Sequence, residues 1–276
     1  MRILITGGSS YLGQHLVPLA AAGHEVRYTF FSRDPLGLAN GQHLDVRDRQ
    51  AVVREAAEFR PQAIIHIAGS NRGGDVTNTI EQGAANVVAA ASEVGARLIH
   101  LSSDALFDGR GAPYRESAPP SPIHAYGRAK AAAESVVASY PNHVIVRTSL
   151  IYSLNLMDHF TEWMATHLRL GQPITLFDDQ IRNPVWAITL SEACLELASL
   201  GYCGVLNVAG RQALSRAEFG LRLLDWWGIA ERGSLTIGPT GEVWPSDCRL
   251  DLNLAARILT TPLLGVDEVI SRAQRY

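Results

Sequence analysis

The chain has 276 residues, 47% of them hydrophobic and 18% charged, with a net charge of −3 at neutral pH. At roughly 150 residues per domain this is one large domain or two small ones, with enough apolar content for a sizeable core, so extended disorder is excluded. The mild negative charge gives no pull toward nucleic acid or an anionic membrane surface, and no apolar run reaches transmembrane length.

The opening run Ile3-Leu4-Ile5 is too short for a secretory signal. Cys194, Cys203 and Cys248 are widely spaced and contain no CxxC pair, so neither a disulfide framework nor a zinc site is expected, and a reducing cytoplasm fits best.

In chain order, Arg2 to Thr6 reads as a buried strand. Tyr11 to Ala22 reads as a helix with Pro18 inside it and Gly23 as its stop. Glu25 to Phe31 is the next strand. Asp48 is placed to cap a helix through Phe59, whose Val52, Val53, Ala56 and Phe59 share one face. Then come a strand at Ala63 to Ala68, a helix at Asn78 to Val94, a strand at Arg97 to Ser102, a helix at Ala125 to Ser139 and a strand at His143 to Tyr152. Strands alternating with helices of this length predict an α/β protein built on a Rossmann-type, doubly wound parallel sheet.

The second half is less regular. Helices are expected at Asp158 to Leu170 and Ser191 to Leu200, a strand at Val205 to Ala209, and a capping box Ser215-Arg216-Ala217-Glu218 opening a helix to Trp227. The expected division is a dinucleotide-binding domain over 1–152, rejoined by 184–208. A smaller C-terminal substrate-binding lobe is expected over 153–183 and 209–276, with the site in the cleft between them. Trp226-Trp227 at a helix end suits packing inside that lobe or a contact between copies, as in a homodimer.

The run from Gly7 through Gly8, Ser9, Ser10, Tyr11 and Leu12 to Gly13 follows a buried strand and opens a helix. Small residues there let backbone N–H groups approach a pyrophosphate, and the helix dipole favours its charge. Gly7 and Gly13 hold the outer glycine positions of the dinucleotide fingerprint, and Ser10 the middle one. Alone, such a turn also serves as an ordinary strand-to-helix connection. The second strand ends in Ser32-Arg33 where an NAD site carries an acid for the ribose hydroxyl. This favours NADP, with NAD as the other dinucleotide to be considered.

Of 24 basic residues 23 are arginine, and the single lysine is Lys130. An arginine cannot replace a lysine where a compact ammonium of movable pKa is needed. Lys130 stands four residues after Tyr126 on a predicted helix, one turn away on the same face. With 8 tyrosines in 276 residues, that coincidence has a chance of about 3% (8/276). An ammonium beside a phenol lowers the phenol pKa and suits it to proton exchange with a substrate oxygen. Ser102 and Ser103 end the preceding strand, where a doubly wound sheet binds its ligands, and a hydroxyl there can align the same oxygen.

These segments resemble the extended short-chain dehydrogenase/reductases. The resemblance rests on Thr6-Gly7 with Gly13, His66-Ile67-Ala68-Gly69, Ser102-Ser103-Asp104 through Gly109, Tyr126-Gly127-Arg128-Ala129-Lys130 and Arg147-Thr148-Ser149. The run to Phe107-Asp108-Gly109, with Pro113-Tyr114-Arg115-Glu116 after it, is most similar to the dTDP-4-dehydrorhamnose reductase branch. It is also similar to the dinucleotide-binding regulatory beta subunit of methionine adenosyltransferase. The resemblance covers nearly the whole chain. It implies Ser103, Tyr126 and Lys130 as the catalytic hydroxyl, acid and ribose anchor. Ser10, Tyr11 and Leu12 become phosphate-turn contacts, Asp45 and Val46 adenine-side contacts, and Ala68, Gly69 and Ser70 a stretch beside the cofactor. Asp104 becomes a substrate contact, with Arg182 and Arg249 as binders of the substrate pyrophosphate.

Three positions depart from the family's pattern: Ser10 for the middle glycine, Leu150 where the reductase has a tryptophan against its substrate, and Ser70-Asn71-Arg72-Gly73-Gly74 without the usual acidic residues. There is no HExxH, no Gly-x-Ser-x-Gly elbow and no basic patch with interleaved aromatics. Metal catalysis, hydrolysis and nucleic-acid binding are therefore not expected. The expected activity is NADPH-dependent reduction of a nucleotide-linked 4-keto-6-deoxy sugar. A sugar-nucleotide epimerase or dehydratase and a non-catalytic regulatory subunit are the alternatives.

Overall fold

Unbroken runs of aliphatic residues become central strands because a parallel sheet is covered on both faces. The computed structural model describes residues 1–69 and 75–274. Its first half runs β1 (Arg2–Thr6), α1 (Gly13–Ala21), β2 (Glu25–Phe30), β3 (Gly41–His43), α2 (Arg49–Phe59), β4 (Ala63–His66), α3 (Val76–Val94), β5 (Arg97–Leu101), α4 (Ala125–Val137) and β6 (His143–Arg147). The second half runs β7 (Ile151–Tyr152), α5 (His159–Arg169), β8 (Ile174–Phe177), β9 (Ile181–Arg182), β10 (Val185–Trp186), α6 (Ala187–Ser199), β11 (Gly204–Asn207), β12 (Leu214–Ser215), α7 (Arg216–Trp226), β13 (Leu235–Gly238), α8 (Ala255–Ile258) and α9 (Val266–Ala273).

Seven strands form one sheet in the order β11-β6-β5-β4-β1-β2-β3, every pair parallel. The order reverses beside β1, so a crevice opens at the carboxyl ends of β1 and β4. Ile3, Ile5, Ile65, Ile99, Val144 and Val146 face one layer, with Leu16 and Val17 of α1 and Leu190 and Leu197 of α6. Leu4, Ile64, Leu98 and Ile145 face the other, with α2, α3 and α4. Among the described residues no helix is long and apolar enough to cross a membrane.

Several boundaries shift for identifiable reasons. The first helix begins at Gly13 rather than Tyr11, because Ser9 to Leu12 stay in the turn. The single strand expected from His143 to Tyr152 divides at Thr148, whose carbonyl accepts from the Asp104 backbone, and β7 leaves to pair with β10. The helix expected from Ser191 starts at Ala187. Gly41-Gln42-His43 becomes the edge strand β3 without an apolar run to announce it. Asp48 caps α2 by accepting from Ala51 N at 3.0 Å, and Ser215 and Glu218 close the capping box of α7.

Outside the large sheet the strands pair two by two: β7 with β10, β9 with β12 and β8 with β13. α5, α7, β8 and β13 enclose a separate apolar cluster around Met164, Leu168, Leu176 and Leu224. Trp226 donates Nε1–H to Leu154 O at 2.9 Å, and Trp227 packs beside Phe160 and Leu223, so both indoles serve this lobe. Ala255, Leu259 and Leu263 return to the core beneath the large sheet.

Candidate active site

The turn after β1 is set by glycines that cannot be exchanged. Gly7 has φ +83°, and a Cβ on it would lie 2.7 Å from the Ala68 backbone. One on Gly13 would lie 2.2 Å from Gly8 O. Gly7 and Gly8 donate to Thr29 of β2. Ser10 turns its hydroxyl inward to accept from Gly13 N at 3.2 Å, a bond within the turn that leads into α1. The serine in the middle position thus braces the turn while still lining the cavity.

A cavity of about 530 Å³ lies in front of this turn. Gly7, Ser9, Ser10, Ser32, Asp45, Val46, Ala68 and Gly69 line it, which brings eight of the sequence-derived cofactor positions together. Other positions lie elsewhere. Tyr11 points toward the second half and donates to Leu156 O at 2.8 Å, Leu12 is buried in the core, and Gly13 packs beneath Gly8. Arg33 is exposed beyond the cavity wall. Ser70 lies outside the described residues.

The cavity mouth holds a residue that sequence reasoning missed. Arg47 pairs with Asp45 at 2.7 Å and with Asp75 at 2.6 Å, and its guanidinium sits 5.4 Å from the Phe31 ring centroid. Arg47 holds the Asp45 carboxyl below the usual carboxylate range. Its position two residues beyond Asp45, between a strand and a helix cap, was the available signal.

At the carboxyl end of β5, Ser102 N donates to Val146 O at 2.7 Å while its buried hydroxyl has no partner among the described residues. Ser103 is extended and its Oγ accepts from Ala105 N at 3.2 Å, opening a short 3-10 turn over Asp104–Leu106. Asp104 is buried, accepts from Ser149 Oγ at 2.6 Å and lies 3.8 Å from Arg182 Nε. Burial raises its carboxyl pKa, with Arg182 and Ser149 pulling the other way.

α4 docks on that turn through Gly127, where a Cβ would lie 2.1 Å from Ala105 O. His124 caps the helix, its Nδ1 accepting from Gly127 N at 3.1 Å. A buried pair between Arg147 and Glu134, 2.7 Å apart, ties α4 to β6, and Arg147 also donates to Glu116 O and Ala118 O in the proline-rich loop. Lys130, 4% exposed, then projects beneath the Tyr126 ring, its Nζ 5.9 Å from the centroid and donating to Leu101 O at 3.0 Å.

The spacing predicts a phenol lowered by this ammonium, and the structure corrects that expectation. Burial pushes Tyr126 up to about 12, with the Ser103 hydroxyl opposing and Asp104 adding to the rise. The ammonium lies under the ring rather than against the hydroxyl, and burial pushes Lys130 itself down to about 8, with Glu134 opposing. Tyr126 therefore stays protonated at neutral pH, the state a general acid requires.

In the second half, Arg182 is committed inside the chain. It donates to Ile181 O, Ser246 O and Pro245 O at 2.8, 3.1 and 2.8 Å. Arg249 pairs with Asp247 at 2.7 Å. Arg216, at the start of α7, has a buried Nε with no partner within the described residues and lies 4.6 Å from the Phe160 ring centroid. Leu150 is half-buried against Tyr152 and Leu264.

Residues 1–246 match the family described as RmlD substrate binding domain. The chain is 32% identical over 216 residues to the dTDP-4-keto-6-deoxy-D-glucose reductase of Streptomyces niveus, covering 75% of this chain and 72% of that protein. It is 32% identical over 227 residues to the dTDP-4-dehydrorhamnose reductase of Mycobacterium tuberculosis, covering 78% and 72%. A hypothetical dTDP-4-dehydrorhamnose reductase from Sulfolobus tokodaii superposes with a TM-score of 0.83 at 28% identity, over 97% of this chain and 98% of that one. The dTDP-4-dehydrorhamnose reductase of Bacillus anthracis, solved with NADP, shares the fold with a TM-score of 0.84 at 24% identity, over 98% and 97%. With its seven-stranded parallel sheet and glycine turn, the chain belongs to the RmlD family, the dTDP-4-dehydrorhamnose reductase branch of the extended short-chain dehydrogenase/reductases.

Proposed function

We propose that this protein is an NADPH-dependent reductase of a nucleotide-linked 4-keto-6-deoxy sugar, with NAD as the other dinucleotide its cradle admits. One observation carries the reading. Lys130 sits beneath Tyr126, bonded to the strand end that presents Ser103, and its Nζ is 3.8 Å from where a Gly69 Cβ would lie on the cavity wall. The Lys130 ammonium thus stands behind the Gly69 wall of a dinucleotide-sized cavity, with Tyr126 above it and Ser103 at the end of the same strand. The Sulfolobus tokodaii likeness and the two reductases at 32% identity support the substrate class.

The residues present fit a dinucleotide. The Gly7 and Gly13 positions leave no room for side chains, so the turn stays tight against the cavity and the start of α1 lies beside it, where a pyrophosphate is favoured. Ser32 on the cavity wall, with Arg47 across its mouth, supports NADP. Bound NADPH supplies the hydride. Ser103 positions the carbonyl oxygen, Tyr126 gives it a proton as negative charge grows there, and Lys130 holds the ribose side of the site with its ammonium. Asp104, braced by Ser149 and Arg182, fixes the backbone that carries Ser103. The three free thiols fit a reducing cytoplasm.

The test is NADPH consumption with a panel of nucleotide 4-keto-6-deoxy sugars. Stoichiometric oxidation supports the reductase. A tightly retained dinucleotide with no net consumption selects an epimerase or dehydratase, and binding without turnover selects a regulatory role. Tyr126→Phe is expected to lower kcat about 10²–10⁴-fold while NADPH still binds.

A further inference from the structure

Three rings stand nearly parallel beside the site. His124 stacks against Tyr126 with centroids 6.4 Å apart and planes 18° apart, and Trp244 stacks on His124 at 5.0 Å and 20°. The middle ring is fixed, because its Nδ1 is engaged in capping α4. The outer ring is open: Trp244 is 45% exposed, beside Val243 at 89%.

Trp244 is held there by a segment anchored at both ends. After β13, Thr240 N donates to Asp179 Oδ2 at 3.0 Å. Beyond the indole, Arg182 takes the carbonyls of Pro245 and Ser246, and Ser246 Oγ donates to Gly109 O at 3.0 Å. A Cβ on Gly109 would lie 2.4 Å from Ser246 N, so the docking is close. Only residues 241–244 project between these anchors. The guanidinium that anchors them is also 3.8 Å from Asp104, the neighbour of Ser103. What sets this aromatic apart from other exposed ones is its fixed support one ring away from Tyr126, and an indole face takes a nucleobase or the apolar face of a sugar equally well.

Resting on the proposed substrate class, we infer that Trp244 is a binding and specificity residue, whose free indole face stacks on a ring of the nucleotide-linked sugar while Tyr126 engages the carbonyl. The loop tip 241–244 sets which ring is accepted. Because Trp244 touches neither the carbonyl nor the dinucleotide cavity, its removal affects substrate capture rather than the proton transfer.

The test uses the intact protein. Calorimetry measures binding of dTDP and of dTDP-glucose, and emission excited at 295 nm is compared between the parent protein and Trp244→Phe, which isolates the Trp244 contribution. Quenching of that contribution by dTDP assigns the base as the stacked ring. Quenching by dTDP-glucose and not by dTDP assigns the sugar. Binding by calorimetry without any Trp244 signal overturns this inference alone, and no binding of either compound overturns both it and the substrate class. In turnover, Trp244→Ala is expected to raise KM about tenfold, with kcat and NADPH affinity held within about twofold, and Trp244→Phe to recover most of the loss. An unchanged KM in Trp244→Ala overturns the assignment.

Discussion

The large-sheet half and the short-strand half of this molecule are held together by different means. The first is a continuous parallel sheet in which Ile3, Ile5, Ile64, Ile65, Leu98 and Ile99 are buried, and its turns are fixed by glycines that no side chain can replace. The second is assembled from pairs of short strands. Its register depends on polar contacts between distant segments, such as Arg182 with Pro245 and Ser246, or Asn183 with Leu250 and Gly210. Apolar burial in a sheet is strong and tolerant of detail. A polar clamp is directional, and removing one partner strands the other. Damage to the first half should therefore appear in stability and dinucleotide binding, and damage to the second in substrate recognition.

The largest expected effect tests where the two halves meet. Tyr126→Phe should leave the thermal midpoint unchanged while kcat falls about 10²–10⁴-fold, and a stopped-flow hydride-transfer measurement reads it. Next, Glu134→Ala leaves the Arg147 guanidinium buried without its partner. It should cost about 3–5 kcal/mol of unfolding free energy in urea titration, most of it recovered in a double variant that also removes the arginine.

Lys130 gives a pH-dependent contrast. Its pKa falls from 10.5 unfolded to about 8 folded, so between those values the unfolded chain binds more protons and stability rises with pH. Below about 8 the burial penalty is present in full. Lys130→Met should thus raise stability at pH 7 by up to about 3 kcal/mol while abolishing turnover, and the gain should close by about pH 10. Turnover of the parent protein should fall as pH rises past about 8, where the ammonium is lost. The smallest effect expected is at the cavity mouth. Arg47→Ala should weaken NADPH binding about tenfold and NADH binding less, with no change in KM for the sugar.

The same contrast explains what could be read from the chain beforehand. β1, β2, β4 and β5 announce themselves as apolar runs, and α2 and α7 by their caps, because those signals are local. β3 carries Gly-Gln-His at a sheet edge, and β7, β9, β10 and β12 are two residues each. A pair that short has no periodicity and exists only through its partner. That Tyr126 and Lys130 are neighbours was legible from spacing. The contacts of Arg47, Arg216 and Trp244 were not, since each is made with a segment distant in sequence: Asp75, Phe160 and His124. The phenol pKa was misjudged because helix spacing reports which residues are neighbours and not whether the ammonium faces the ring or the oxygen.

The arginine that fastens the 245–246 carbonyls also braces the residue beside Ser103, yet the four positions ahead of it are free of that duty. A change confined to residues 241–244 therefore leaves the Arg182 anchor and the Asp104 brace in place, much as a tool keeps its handle when the blade is exchanged.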